Sequence, residues 1–152
     1  MIIGIDPGND GAVACWASPT AFLWVRRLDG GKLTPETVEL LREARARGCD
    51  VAIVEEPTYD PARSGHHAGK VQQQNVGYML GALGVLGFRV LRPTAQEWRR
   101  ITHTSGSSKK ARDAKGRAVL AYRGVKGVTR SGEVDACLIG WAGFVLDGRG
   151  QG

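Results

Sequence analysis

Met1-Ile-Ile-Gly-Ile-Asp-Pro-Gly8 reads as a short buried strand that ends in a carboxylate and then turns sharply. Met1, Ile2, Ile3 and Ile5 supply an apolar, largely β-branched run. Gly4 lets another backbone or a ligand come close. Pro7-Gly8, followed by Asn9, Asp10 and Gly11, is turn chemistry. Asp6 therefore leaves the strand on rigid backbone, a position that suits a metal ligand or a catalytic acid. The alternative is an Asp that caps the turn through its own backbone. The rest of the chain decides between them.

Two more strands follow at short range, Gly11 to Ala17 and Ala21 to Arg27, separated by Ser18-Pro-Thr20. Three strands joined by short turns make an antiparallel meander. Thr34 and Pro35 open a helix that Gly48 stops. Asp50 to Glu55 is a continuous apolar run ending in a carboxylate, as expected of a parallel strand covered on both faces. A long helix is expected from about Lys70 to Leu86, with Gly77, Gly81 and Gly84 on roughly one side. Three glycines cost a helix about 1 kcal/mol each, which close packing on the sheet or on a partner would offset. Phe88 to Leu91 is a fifth strand. Thr94 and Glu97 form a capping box for the short helix of Trp98, which is read as a core residue. His103 to Ser108 is small, polar and expected to move. Lys109 to Tyr122 is a basic helix, and Glu133 to Leu146 the last one. This order predicts an α/β chain with a mixed five-stranded sheet flanked by helices, the layout of the ribonuclease H-like fold. One domain over 1–147 and a flexible tail at 148–152 are expected.

Size and composition agree. The 152 residues are 42% hydrophobic and 24% charged, enough for one domain with a real core. No apolar run approaches a membrane span, and the N-terminus lacks the pattern of a signal peptide. Cys15, Cys49 and Cys137 are widely spaced in apolar settings, so core thiols in a reducing compartment are expected, and a cytoplasmic location with them. The net charge of +6 is unevenly spread. Residues 89–130 carry twelve Lys and Arg against Glu97 and Asp113, whereas the remainder is net acidic. A basic segment beside an acid-bearing one suits a polyanion surface next to a metal site; an Arg-rich solvated surface is the plainer alternative.

Three carboxylates sit on rigid elements: Asp6 after strand one, Glu55 after strand four and Asp135 early in the last helix. If strands one and four are neighbours, Asp6 and Glu55 emerge side by side, and a helix packed across that edge delivers Asp135. Clustered carboxylates repel unless a cation lies among them, and hard Mg²⁺ or Mn²⁺ suits oxygen ligands. Two such ions roughly 3.5–4 Å apart support in-line attack of water on a phosphodiester.

With these residues in place the chain resembles the RuvC family of Holliday junction resolvases. The matching segments are Ile3-Gly-Ile-Asp-Pro-Gly8, Val51-Ala-Ile-Val-Glu-Glu56 and Val134-Asp-Ala-Cys-Leu-Ile139, in family order over most of residues 1–146. The resemblance implies a homodimer that nicks two opposed strands of four-way junction DNA, with two metal ions per site held by Asp6, Glu55 and Asp135. The family usually has a fourth ligand three residues before the last Asp. Here that position is Gly132; Glu133 is the nearest substitute, with Glu56 behind it. Two residues apart on a regular helix places side chains about 200° apart, so Glu133 would serve only from a distorted first turn.

Lys109, Lys110, Arg112, Lys115 and Arg117 are expected to contact phosphates, with a steep dependence on salt. Lys109 or Lys110 is also a candidate to stabilise the pentacovalent phosphate. Tyr59 follows the second acid where the family places an aromatic against junction bases, and Arg63, His66 and His67 are candidate loop contacts. The glycine-faced helix is a candidate dimer interface, packing on its own sheet being the rival. Ile-Asp-Pro-Gly also resembles the phosphate loop of sugar kinases and actin-like ATPases, but those need a second such domain and a second Gly-rich loop. A ribonuclease H-like nuclease acting on RNA or flaps, and a junction-binding protein without catalysis, remain the other readings.

Overall fold

The computed structural model describes residues 1–57 and 66–148, without the side chains of 66–68. In chain order the elements are β1 (Ile2–Asp6), β2 (Ala12–Ser18), β3 (Ala21–Arg27), α1 (Pro35–Ala46), β4 (Val51–Val54), α2 (His66–Val85), β5 (Arg89–Leu91), α3 (Ala95–Ile101), α4 (Lys109–Tyr122) and α5 (Ser131–Leu146). The sheet order is β3-β2-β1-β4-β5. β1 pairs antiparallel with β2 and parallel with β4. β2 pairs antiparallel with β3, and β4 parallel with β5. This is the expected mixed sheet, with the meander on one side and the parallel strands on the other.

β1 lies at its centre because its alternate residues are apolar on both faces. Ile2 turns to one side, among Trp16, Ile53, Leu120 and Leu138. Ile3 and Ile5 turn to the other, among Leu41, Met79 and Leu83. Each such fully buried side chain contributes about 1.5–3 kcal/mol relative to exposure. β4 divides in the same way, Val51 and Ile53 from Ala52 and Val54.

α5 is the helix that positions the site. It is buried nearly all round, by Val134, Ala136, Leu138, Ile139 and Phe144 among others, as a helix covered by several neighbours must be. A Cβ on Gly4 would lie 2.1 Å from the Gly140 nitrogen and 2.4 Å from the Ala136 oxygen. The helix backbone therefore rests on the strand backbone, the close approach that Gly4 foreshadows. Further along, a Cβ on Gly143 would meet Ile53 and Ile2. So α5 runs antiparallel to β1, with its first turn at the Asp6 end.

Several boundaries differ from the sequence reading. α2 starts at His66, four residues earlier than expected, and α5 at Ser131 instead of Glu133. The α5 difference has a visible cause: the Glu133 Oε2 accepts from the backbone nitrogens of Thr129 and Arg130, at 3.3 and 3.2 Å, and so caps the first turn. The 103–108 segment is hydrogen-bonded to the flanking helices. Thr104 N donates to Arg99 O, Arg112 Nη1 to Gly106 O and Lys115 Nζ to Ser105 O. Gly77, Gly81 and Gly84 do not pack on the sheet: a Cβ on any of them would meet nothing within 4 Å. Val76, Met79 and Leu83 cover the core instead. Gly77 and Gly81 line a groove of about 470 Å³ between α1 and α2, beside exposed Tyr78 and Val85. The three cysteines are free and buried, with the Cys15 and Cys49 sulfurs 3.4 Å apart.

Candidate active site

The register of β1 and β4 sets two of the acids. Ile5 pairs with Val54, and Glu55 N donates to Ile5 O at 3.2 Å. Asp6 and Glu55, the next residues on each strand, leave the sheet together. α5 brings its first turn to the same edge. The Asp6 charge bears on Glu55, and the charges of both bear on Asp135. Burial is the largest cause raising Asp6 above its ordinary 3.8. Burial, then the Asp6 charge, raises Glu55 above 4.5. The same two causes push Asp135 up to about 7. Burial disfavours the ionised form and neighbouring like charges add to it.

Each acid is turned to its own donor. Asp6 Oδ1 accepts from Gly8 N at 2.9 Å, a local turn bond. Glu55 Oε2 accepts from Trp98 Nε1 at 2.9 Å. Asp135 Oδ2 lies 3.6 Å from Arg99 Nη2. Among the described residues no three His, Cys, Asp or Glu side chains stand close enough to hold one ion as placed.

α3 supplies two of those donors. Its start is fixed by the Thr94–Glu97 capping box. Trp98 is fully buried, as expected of a core residue, yet its indole nitrogen reaches Glu55. Arg99 stacks on the Trp98 ring, its guanidinium carbon 4.6 Å from the centroid. Its charge lowers Asp6, Glu55 and Asp135 alike. Arg99 is the site residue that the sequence reading missed, being one of twelve basic residues in its segment. Its adjacency to Trp98, on a helix that directly follows β5, was the signal available.

Gly132 is explained by geometry. A Cβ there would lie 1.8 Å from the Asp10 carbonyl oxygen and 3.2 Å from Asp6 Oδ2. The turn after β1 thus fills the space of any side chain at 132. Glu133 does not take over that place, since its carboxylate is engaged behind the helix start. Nor is Glu56 brought in: its backbone nitrogen donates to Pro93 O, and its carboxylate lies 3.6 Å from Arg92. Asp10 is close enough for its charge to raise the Asp6 carboxyl.

Of the basic candidates, Lys109 opens α4 and its charge is felt at Asp6. Lys110, Lys115 and Arg117 are exposed along the same helix and Arg112 is half-buried. Arg117 Nη2 donates to Thr129 O at 3.0 Å. Arg99 and Arg112 line a cleft of about 400 Å³ with Gln96, Ser105 and Gly106. Tyr59 and Arg63 lie outside the described residues, as do the side chains of His66 and His67.

No protein-family model matches the sequence, and no curated protein matches it. Solved structures do. The chain is similar to Thermus thermophilus RuvC in complex with a Holliday junction substrate, at 19% identity and a TM-score of 0.66, over 98% of this chain and 95% of that one. A second Thermus thermophilus RuvC structure gives 22% identity and a TM-score of 0.59, over 97% and 96%. The Fowlpox virus resolvase, in complex with its Holliday junction DNA, gives 13% identity and a TM-score of 0.56 over 99% of both chains. The fold is therefore the ribonuclease H-like α/β fold in the arrangement of RuvC. Among the described residues no helix is long and apolar enough to cross a membrane.

Proposed function

We propose that this chain is a structure-selective endonuclease that resolves four-way DNA junctions by metal-dependent nicking of opposed strands, in recombination or repair. The convergence of Asp6, Glu55 and Asp135, from three separate elements, at one end of β1 carries the reading. Burying acids together costs stability, and such perturbed groups cluster at functional sites. The likeness in fold to RuvC and to the Fowlpox virus resolvase supports the substrate class.

The donor set fits a hard divalent cation: oxygen atoms only, with more negative charge than Arg99 and Lys109 balance. Asp6, Glu55 and Asp135 would hold Mg²⁺, with Mn²⁺ as a substitute and two ions per site. Bound there, such ions lower the pKa of an attacking water and stabilise the leaving 3′ oxygen. The chain's own residues do the rest. Gly8 N and Trp98 Nε1 orient Asp6 and Glu55. Lys109 opens α4, where its charge is felt at Asp6, and is assigned to the scissile phosphate. Lys110, Arg112, Lys115 and Arg117 track the neighbouring backbone phosphates, and Tyr59 and Arg63 are assigned to the junction itself. Glu133 is assigned to the helix cap.

The working unit is a homodimer of single domains spanning 1–147, in a reducing, cytoplasmic setting. Its proposed interface is the open glycine side of α2, where helices can approach closely. Gly81→Leu should yield monomers in sedimentation.

The test is incubation of a labelled four-way junction, a duplex, a flap and an RNA–DNA hybrid with the protein, in Mg²⁺ and in EDTA, beside Asp6→Asn. Paired symmetric nicks on the junction alone, lost in EDTA and in the variant, are expected. The blocked position 132 favours one second reading, a junction-binding protein with weak catalysis. Tight junction binding without nicks in any metal would establish it, and cleavage of flaps or RNA alone would overturn both.

A further inference from the structure

We propose that Arg99 is a built-in counter-cation of the carboxylate cluster, and that it competes with a divalent ion for the same oxygens. The inference rests on the reading of the site as metal-binding. Four observations carry it. Arg99 Nη2 lies 3.6 Å from Asp135 Oδ2. Its charge is also felt by Asp6 and Glu55. The side chain is held in place by stacking on Trp98, itself immobilised in the core. The Arg99 Nε is buried without a hydrogen-bond partner. An arginine that served structure alone would be expected to satisfy that donor. Here the guanidinium is held by charge, not by a completed hydrogen-bond set, an arrangement suited to release.

An always-charged fork among three acids is a resident monovalent substitute for a hard cation. It favours the ionised form of each acid and so offsets part of the cost of burying them. It also sets a threshold, because an incoming ion must displace it from Asp135. Arg99 is thus a positioning residue whose removal should strengthen metal binding while weakening the metal-free fold.

The test is Mn²⁺ titration by calorimetry, without DNA, of the wild-type full chain, Arg99→Gln and Arg99→Lys. Arg99→Gln should bind Mn²⁺ about tenfold more tightly, within the usual range of coupling between mutually exclusive ligands. Arg99→Lys should fall between it and wild type. Unchanged or weaker Mn²⁺ affinity in an Arg99→Gln protein that still melts cooperatively would overturn the inference. Should that variant fail to fold, the Arg99 Nε–H resonance of wild type, assigned by its loss in Arg99→Lys, decides the matter. Displacement predicts that it shifts on Mg²⁺ addition, and an unmoved resonance refutes it. Absence of Mn²⁺ binding by wild type overturns the metal reading itself, and this inference with it.

Discussion

Neutralising Asp135 should stabilise the metal-free protein while abolishing its activity. The folded-state carboxyl titrates at about 7, against an ordinary value of 3.8. Below about pH 4 the group is protonated in both the folded and unfolded states and costs nothing. Between about pH 4 and 7 the unfolded chain releases the proton and the folded one holds it. Stability therefore falls as pH rises through that window and is lowest above it. Three pH units correspond to about 4 kcal/mol. Part of this is shared with Asp6 and Glu55, whose charges raise the Asp135 carboxyl and would themselves relax around a neutral Asn. About 2 kcal/mol of net stabilisation at pH 8 remains, or about 5 °C in Tm for a chain of this size. The assay is thermal melting in EDTA at pH 4 and pH 8. Asp135→Asn should melt above wild type at pH 8 and level with it at pH 4. Mg²⁺ should raise the wild-type Tm at pH 8 and leave the variant unmoved. A variant that melts at or below wild type at pH 8, or whose advantage is equal at both pH values, would refute the reasoning.

Glu133→Gln weakens the cap on Thr129 and Arg130, and should cost about 1 kcal/mol of stability while junction nicking survives at full Mg²⁺; loss of Mg²⁺ binding would make Glu133 a ligand after all. Trp98→Phe keeps the core ring but removes the donor to Glu55, so about 2 kcal/mol of stability and roughly tenfold in nicking rate should go, read by melting and single-turnover cleavage. Gly132→Ala sets a methyl against the Asp10 carbonyl, and a loss of more than about 3 kcal/mol is expected in denaturant unfolding; an unchanged midpoint would show that the 7–11 turn yields easily.

The sheet could be read from the chain because each strand carries its own signal. β1 and β4 are short apolar runs ending in acids, and β2 and β3 are separated by Ser18-Pro-Thr20. Helix starts were legible where a side chain caps them, at Thr34, Thr94 and Ser108. α5 was misplaced because Arg130 stands where a capping Ser or Thr would have marked the start. The site was legible as far as the acids are tied to strand ends. Its cations were not, since a guanidinium is carried to its partner by a long side chain and by tertiary packing. Arg99 and Asp135 are far apart in sequence and meet only because α3 and α5 pack together. The outward face of the α2 glycines was undecidable for a similar reason: spacing gives a side of a helix but not what lies beside it.

The contact between Gly132 and the Asp10 carbonyl constrains how this chain can change over time. A side chain at 132 is not one substitution away, because the turn at 7–11 occupies its volume. An altered turn without a new residue at 132 would leave a gap beside Asp6. The two segments are locked to one another, and any lineage acquiring a side chain there must first pass through a remodelled turn. Descendants should therefore keep the glycine and the short Pro7–Gly11 turn together.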